Sequence, residues 1–154
     1  MEKQQPLVSV IGAGSAPDEV LEMARQVGRL LAGEGYGVVT GGLGGVMAAA
    51  CHGAQEAGGF TLGILPGIDP AQANPYCRVV VPSGLGQARN LLVVLSGRGA
   101  IAISGGAGTL SEIGHALKHN RPVISLQSWD LPGVITATNP HEAVQCLLET
   151  LQEG

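Results

Sequence analysis

Two stretches of this chain combine residue types suited to an anionic ligand. Residues 104–112 read SGGAGTLSE directly after the apolar run Ala100-Ile101-Ala102-Ile103, and residues 84–90 read GLGQARN directly before Leu91–Leu95. Glycines that leave a strand and open a helix let backbone N–H groups approach phosphate oxygens without a Cβ clash, and the helix dipole favours an anion there. On this reading Gly105, Gly106 and Gly108 supply backbone and Thr109 adds a hydroxyl donor. With the helix beginning near Ala107 to Thr109, Glu112 stands in its first turn, close to a bound phosphate and its sugar. A carboxylate there either complements the dipole, or grips a ribose hydroxyl and stabilises an oxocarbenium-like centre. Arg89 is a lone arginine at the head of an apolar segment, and its planar cationic fork suits a phosphate or a purine edge.

Two further glycine loops follow apolar runs. Gly12-Ala13-Gly14-Ser15 comes after Leu7–Ile11, and TGGLGG, with Gly41 and Gly42, comes after Val38-Val39. Gly12, Gly14, Gly41 and Gly42 are candidate phosphate contacts, with Ser15 as a hydroxyl donor. The usual dinucleotide fingerprint fails, because GxGxxG would need glycine where Pro17 stands, and no acid follows the second strand to hold a ribose. No GxxxxGK[ST] segment is present, which excludes a Walker-type ATPase.

The elements that must position these residues alternate. Strands are predicted at Leu7–Ile11, Val38-Val39, Phe60–Leu65, Arg78–Val81, Ala100–Ile103 and Val123–Leu126. Between them the pattern predicts helices opening at Pro17-Asp18 and stopping at Gly33, then from about Val46 to Ala57, Leu85 to Leu95 and Thr109 to His119, with a last helix from about His141 to Leu151. Pro66–Pro75 is a polar, proline-rich loop whose composition fits a lid or an ordinary surface loop. Strict alternation with short connections implies a single Rossmann-like α/β domain, a mostly parallel sheet with helices on both faces. Ligands of such sheets bind outside the carboxyl ends of the strands, where all three glycine loops fall.

Composition narrows the function classes. The chain is 45% hydrophobic but only 3% aromatic, so its core is built from Val, Leu, Ile and Ala. A formal charge of −4 and the lack of a basic stripe argue against a nucleic-acid partner. No apolar run reaches the length of a membrane span and the N-terminus lacks a signal-like apolar segment, so a cytoplasmic protein is expected. The three cysteines, Cys51, Cys77 and Cys146, form no CxxC pair and read as small buried hydrophobes. His115 and His119 share a helix face with Glu112, but no third ligand is evident and no metal site is expected. His52 and His141 read as ordinary helix and surface residues. Trp129 either stacks on a ligand ring or packs its loop against the sheet. Leu91–Leu95 is more apolar than a one-sided helix needs, so a homodimer or larger homo-oligomer is expected.

TGGLGGVM at 40–47, the arginine in the helix before the penultimate strand, and GGAGTLSE at 105–112 together resemble the LONELY GUY superfamily of Rossmann-like proteins, over essentially the whole chain. The family signature PGGxGTxxE is matched by Gly105, Gly106, Gly108, Thr109 and Glu112, with Ser104 in place of the proline. Within the superfamily, SGLGQARN and GTLSEIGHALKHNRPVISL look most like the molybdenum cofactor carrier group. That resemblance implies a binding protein for a small phosphorylated ligand, a molybdenum cofactor whose pterin phosphate would occupy the SGGAGT loop. The alternative it implies is a nucleoside 5′-monophosphate phosphoribohydrolase releasing free base and ribose 5-phosphate, with Arg89 and Glu112 as its catalytic pair. Those enzymes usually carry lysine after the arginine, where this chain has Asn90. DNA handling, as in distantly related DNA-processing proteins, is the third and weakest reading.

Overall fold

The computed structural model describes residues 4–153. Seven strands, β1 (Leu7–Gly12), β2 (Gly37–Thr40), β3 (Thr61–Leu65), β4 (Val79–Pro82), β5 (Ala100–Ile103), β6 (Val123–Leu126) and β7 (Ile135–Ala137), form one sheet. Their order is β4-β3-β2-β1-β5-β6-β7 and every pairing is parallel. The helices are α1 (Asp18–Gly33), α2 (Val46–Glu56), α3 (Arg89–Ser96), α4 (Ala107–Lys118) and α5 (Pro140–Glu153). The expected single Rossmann-like domain is therefore the fold observed.

The central strands β1, β2, β5 and β6 are largely apolar and buried because a helix layer covers each side of them. Along β5, Ile101 and Ile103 enter the cluster shared with α1, α2 and α5, while Ala100 and Ala102 enter the cluster shared with α3 and α4. Successive side chains point to opposite faces, so one short run supplies both cores. On the first face α1 and α2 approach closely. A Cβ on Gly28 would collide with the Ala50 carbonyl, and one on Gly53 with the Arg25 carbonyl, so each glycine admits the other helix's backbone. These two glycines serve helix packing rather than any ligand.

Two elements differ from the sequence expectation. β7 was not expected: three residues are too few to display a period, and only pairing with β6 makes them a strand. The helix expected over Leu85–Leu95 begins instead as a 3₁₀ turn at Gly86–Ala88, with α3 proper starting at Arg89. Gly84 and Gly86 have φ of +68° and +59°, values that an α-helix cannot contain. The loop 66–75 carries its own 3₁₀ turn at Pro70–Gln72, where the Ala71 N–H donates to Asp69 Oδ1 at 3.0 Å.

Candidate functional site

The order of the sheet reverses between β1 and β5, which run side by side to Gly12 and Ile103. Beyond that end the loop after β1 and the loop after β5 diverge, leaving the crevice expected at a switch point. A cleft of about 190 Å³ lies there, lined by Gly12, Ala13, Gly14, Met47, Gln87, Arg89, Asn90, Gly106, Gly108, Thr109 and Glu112. Seven of the sequence candidates thus share one cavity. Gly41, Gly42, Gly105 and Ser15 are outside its wall.

The glycine loops are not equivalent. α4 begins at Gly106 with no side-chain cap, so its leading N–H groups have neither an intrahelical acceptor nor a capping oxygen. Ser104 and Gly105 turn the chain with φ of +55° and +102°, and Thr109 packs under Gly105 in space that a Cβ would fill. The TGGLGG loop, in contrast, is held by the protein itself. The Val46 N–H donates to the Ala13 carbonyl at 2.9 Å, the Gly42 N–H to Thr40 Oγ1 at 3.0 Å, and the Gly42 carbonyl accepts from Asn74 N at 2.8 Å. Gly41 makes room for the arginine, since a Cβ there would lie 2.8 Å from Arg89 Nη2 and 2.9 Å from Met47 Sδ.

Arg89 is 6% exposed. Its Nε donates to the Ile64 carbonyl at 3.0 Å and its Nη1 to Asn90 Oδ1. Asn90 in turn donates through Nδ2 to Ser111 Oγ at 3.1 Å, and Ser111 Oγ donates to the Gly108 carbonyl at 2.7 Å. This chain of bonds ties the guanidinium on α3 to the first turns of α4. Burial lowers the arginine's pKa and nearby Glu112 opposes the shift.

Glu112 is 8% exposed and sits in the second turn of α4, not the first as the sequence suggested, because the helix starts at the early end of the expected range, at Ala107. First-turn dipole complementation therefore does not explain it. Burial raises its pKa to about 7 while Arg89 pulls the other way. Among the described residues no ion pair within 4.0 Å joins Arg89 to Glu112. The cleft thus has a cation and a carboxyl with a depressed tendency to ionise on its wall, together with an uncapped helix N-terminus.

Residues that sequence reasoning passed over complete the wall. Asn90 was noticed only as a departure from lysine, and its bonds to Arg89 and Ser111 cannot be read from types and spacing. Met47 and Gln87 fell inside the quoted motifs without an assigned role. The Trp129 indole Nε1–H donates to the Gly106 carbonyl at 3.2 Å, beside the start of α4. His52 stacks on Tyr76 at a centroid distance of 4.2 Å, away from the cleft, and a ring nitrogen of His119 meets the His115 carbonyl at 2.9 Å.

A doubly wound parallel sheet with its cleft at the β1–β5 switch point defines a Rossmann-like α/β protein. Within that class the chain belongs to the SLOG cluster4 family, which matches residues 5–152. It is similar in structure to a molybdenum cofactor binding protein of Rippkaea orientalis, with 36% identity, a TM-score of 0.91, and coverage of 97% of this chain and 99% of that one. The Moco Carrier Protein of Chlamydomonas reinhardtii is similar at 32% identity and a TM-score of 0.89, over 98% of this chain and 100% of that one. A cytokinin riboside 5′-monophosphate phosphoribohydrolase of Mycobacterium tuberculosis is 29% identical over 122 residues, which cover 72% of this chain and 64% of that enzyme. The chain accordingly sits in the LONELY GUY-like superfamily, near the molybdenum cofactor carrier proteins.

Proposed function

We propose that this protein binds a small phosphorylated, nucleotide-like ligand at the switch-point cleft, as a carrier of the molybdenum cofactor type. The observation that carries this reading is the uncapped N-terminus of α4 sharing one cleft with the Arg89 guanidinium. Dipole, free N–H groups and cation all favour a phosphate dianion. Cβ positions on Gly106 and Gly108 meet nothing within 4 Å, so an oxygen-rich group can come up to the backbone. The cleft is smaller than the roughly 300–1,000 Å³ of typical ligand pockets. It accommodates the phosphate end, and the pterin or base extends across the open mouth. Similarity to molybdenum cofactor proteins over nearly the whole of both chains supports the pterin as the organic part.

Native mass spectrometry of freshly purified protein, followed by pterin fluorescence of the released ligand, tests this reading. Ligand at a hundredfold excess over Kd stabilises the fold by about 2.7 kcal/mol, which raises Tm by ~5–11 °C in a domain of this size. Gly106→Val points its side chain into open space, leaves the fold intact and should abolish that shift. A full shift in the variant would move the phosphate elsewhere.

One observation favours a second reading, hydrolysis of a nucleoside 5′-monophosphate to base and ribose 5-phosphate. Glu112, with its pKa near 7, is tuned to accept and donate protons at neutral pH beside an arginine. Under that reading Glu112→Gln still binds AMP yet releases ribose 5-phosphate ~10²–10⁴-fold more slowly. Under the carrier reading neither protein releases any.

A further inference from the structure

The three cysteines are far from equivalent in space. Thr40 of β2 and Gly63 of β3 are directly paired, so both positions face the same side of the sheet, on strands about 4.8 Å apart. The Cys51 thiol, on α2, lies 3.6 Å from Thr40 Oγ1. Gly63 has no side chain, and a Cβ there would stand 2.6 Å from Cys77 Sγ, so the Cys77 thiol fills the space over Gly63. Both thiols therefore lie on the α2 face of the sheet, one against Thr40 and the other over its paired neighbour Gly63. Cys146 is elsewhere, on α5 at the margin of the core under α1.

Their surroundings make the two thiols chemically different. The neighbouring Cys51 and Asn74 side chains lower the pKa of Cys77, while the neighbouring Cys77 and burial raise that of Cys51. Cys77 is half-buried and Cys51 is fully buried. The more acidic thiol is therefore the one a small reagent can reach, and a second thiol waits behind it. A low-pKa, accessible cysteine poised against a resolving partner is the arrangement of redox-reactive pairs.

We propose that Cys51 and Cys77 form a peroxide-reactive dithiol that closes to an intramolecular disulfide. The Cys77 thiolate attacks one oxygen of hydrogen peroxide, the O–O bond breaks, and the departing hydroxide takes up a proton to become water. Cys77 is left as a sulfenic acid. Cys51 Sγ then attacks Cys77 Sγ, forming the S–S bond and breaking the S–O bond, and the hydroxyl leaves with the Cys51 proton as a second water. Two thiols lose two electrons, and one peroxide becomes two waters.

The link would join elements that already brace the cleft. The Asn74 side-chain amide donates to the Leu43 carbonyl at 2.9 Å and its backbone N–H to the Gly42 carbonyl, so the segment before Cys77 grips the TGGLGG loop. Met47, on the cleft wall, is one helical turn before Cys51. Oxidation fastens α2 to that brace and, by closing a loop in the unfolded chain, raises Tm by ~5–10 °C.

The full chain treated with hydrogen peroxide at neutral pH, alkylated under denaturing conditions and mapped by mass spectrometry tests the idea without any ligand. The expected product has lost two hydrogens, yields a Cys51–Cys77 linked peptide, carries an alkylated Cys146, melts higher and reverts with dithiothreitol. Cys146→Ser should behave as wild type, and Cys77→Ser should show neither link nor stabilisation. Recovery of Cys51 and Cys77 both alkylated after peroxide, arrest of Cys77 as sulfinic acid, or a disulfide through Cys146 would each overturn it. Should Cys77→Ser not fold, the map of wild type and Cys146→Ser decides the question alone.

Discussion

Gly41 and Arg89 share one volume: the side chain that glycine lacks would stand 2.8 Å from the guanidinium Nη2. Met47 Sδ borders the same space at 2.9 Å, so a side chain at position 41 must displace one of these two neighbours. Gly41→Ala should destabilise the fold by about 1–3 kcal/mol through overpacking, and should push Arg89 off the cleft wall. Urea unfolding and ligand retention, measured together, check this. A variant with wild-type stability and retention would mean that the arginine has a second resting place.

Glu112 should leave a pH signature on stability. Its pKa rises from the ordinary 4.5 to about 7 on folding. Between those values the folded chain holds a proton that the unfolded chain has released, so stability falls as pH rises through this window and levels off above it. The full amplitude is at most about 3 kcal/mol. Glu112→Gln should remove this slope and be the more stable protein above pH 7, because nothing there must ionise in a buried site. Chemical unfolding across the window, run on both proteins, measures it. Parallel curves would place the carboxyl in ordinary solvent.

Asn90 is 3% exposed and bonded at both ends of its amide, to Arg89 and to Ser111. Asn90→Ala should cost about 1–3 kcal/mol, the penalty for unpaired buried polar groups. Asn90→Lys, the residue usual in the hydrolases, should cost more, about 3–5 kcal/mol, since it sets an ammonium beside a buried guanidinium with no anion in ion-pair contact. Thermal melts rank the two variants. If lysine proved the milder change, Arg89 would not be held by this amide.

Exposed apolar side chains group at the β4 edge and along α3, where self-association is predicted. On the sheet face that carries α3 and α4, two helices cover a seven-stranded sheet, and Val79 and Val81 of the edge strand β4 remain 42% and 41% exposed. Leu85, just before the 3₁₀ turn, and Leu92, on the flank of α3, add exposed apolar surface, although Val93 and Val94 are buried. Leu85→Glu with Leu92→Glu should convert a homo-oligomer to monomer in light scattering at micromolar concentration. A wild-type monomer under those conditions would end the idea.

The sequence by itself determined the class of fold and the end of the sheet at which to look. Apolar runs such as AIAI and VISL, separated by helical periods and closed by glycine, are local patterns written in adjacent residues, and burial on both faces of a parallel sheet follows from them. Gly106, Gly108, Thr109, Arg89 and Glu112 were legible for the same reason, since each belongs to a short motif at a predicted boundary. Which loop remains open was not legible, because Val46 and Asn74 close the TGGLGG loop through partners set by strand order rather than by spacing. The turn on which Glu112 sits depended on where α4 starts, and β7 existed only through its pairing with β6. The junction of Arg89 with the Ile64 carbonyl, 25 residues back, and the placement of Cys51 and Cys77 over neighbouring strands, required β2, β3 and α3 to be brought side by side. Periodicity decides which side of an element is apolar, but only the packed sheet decides which polar groups meet there.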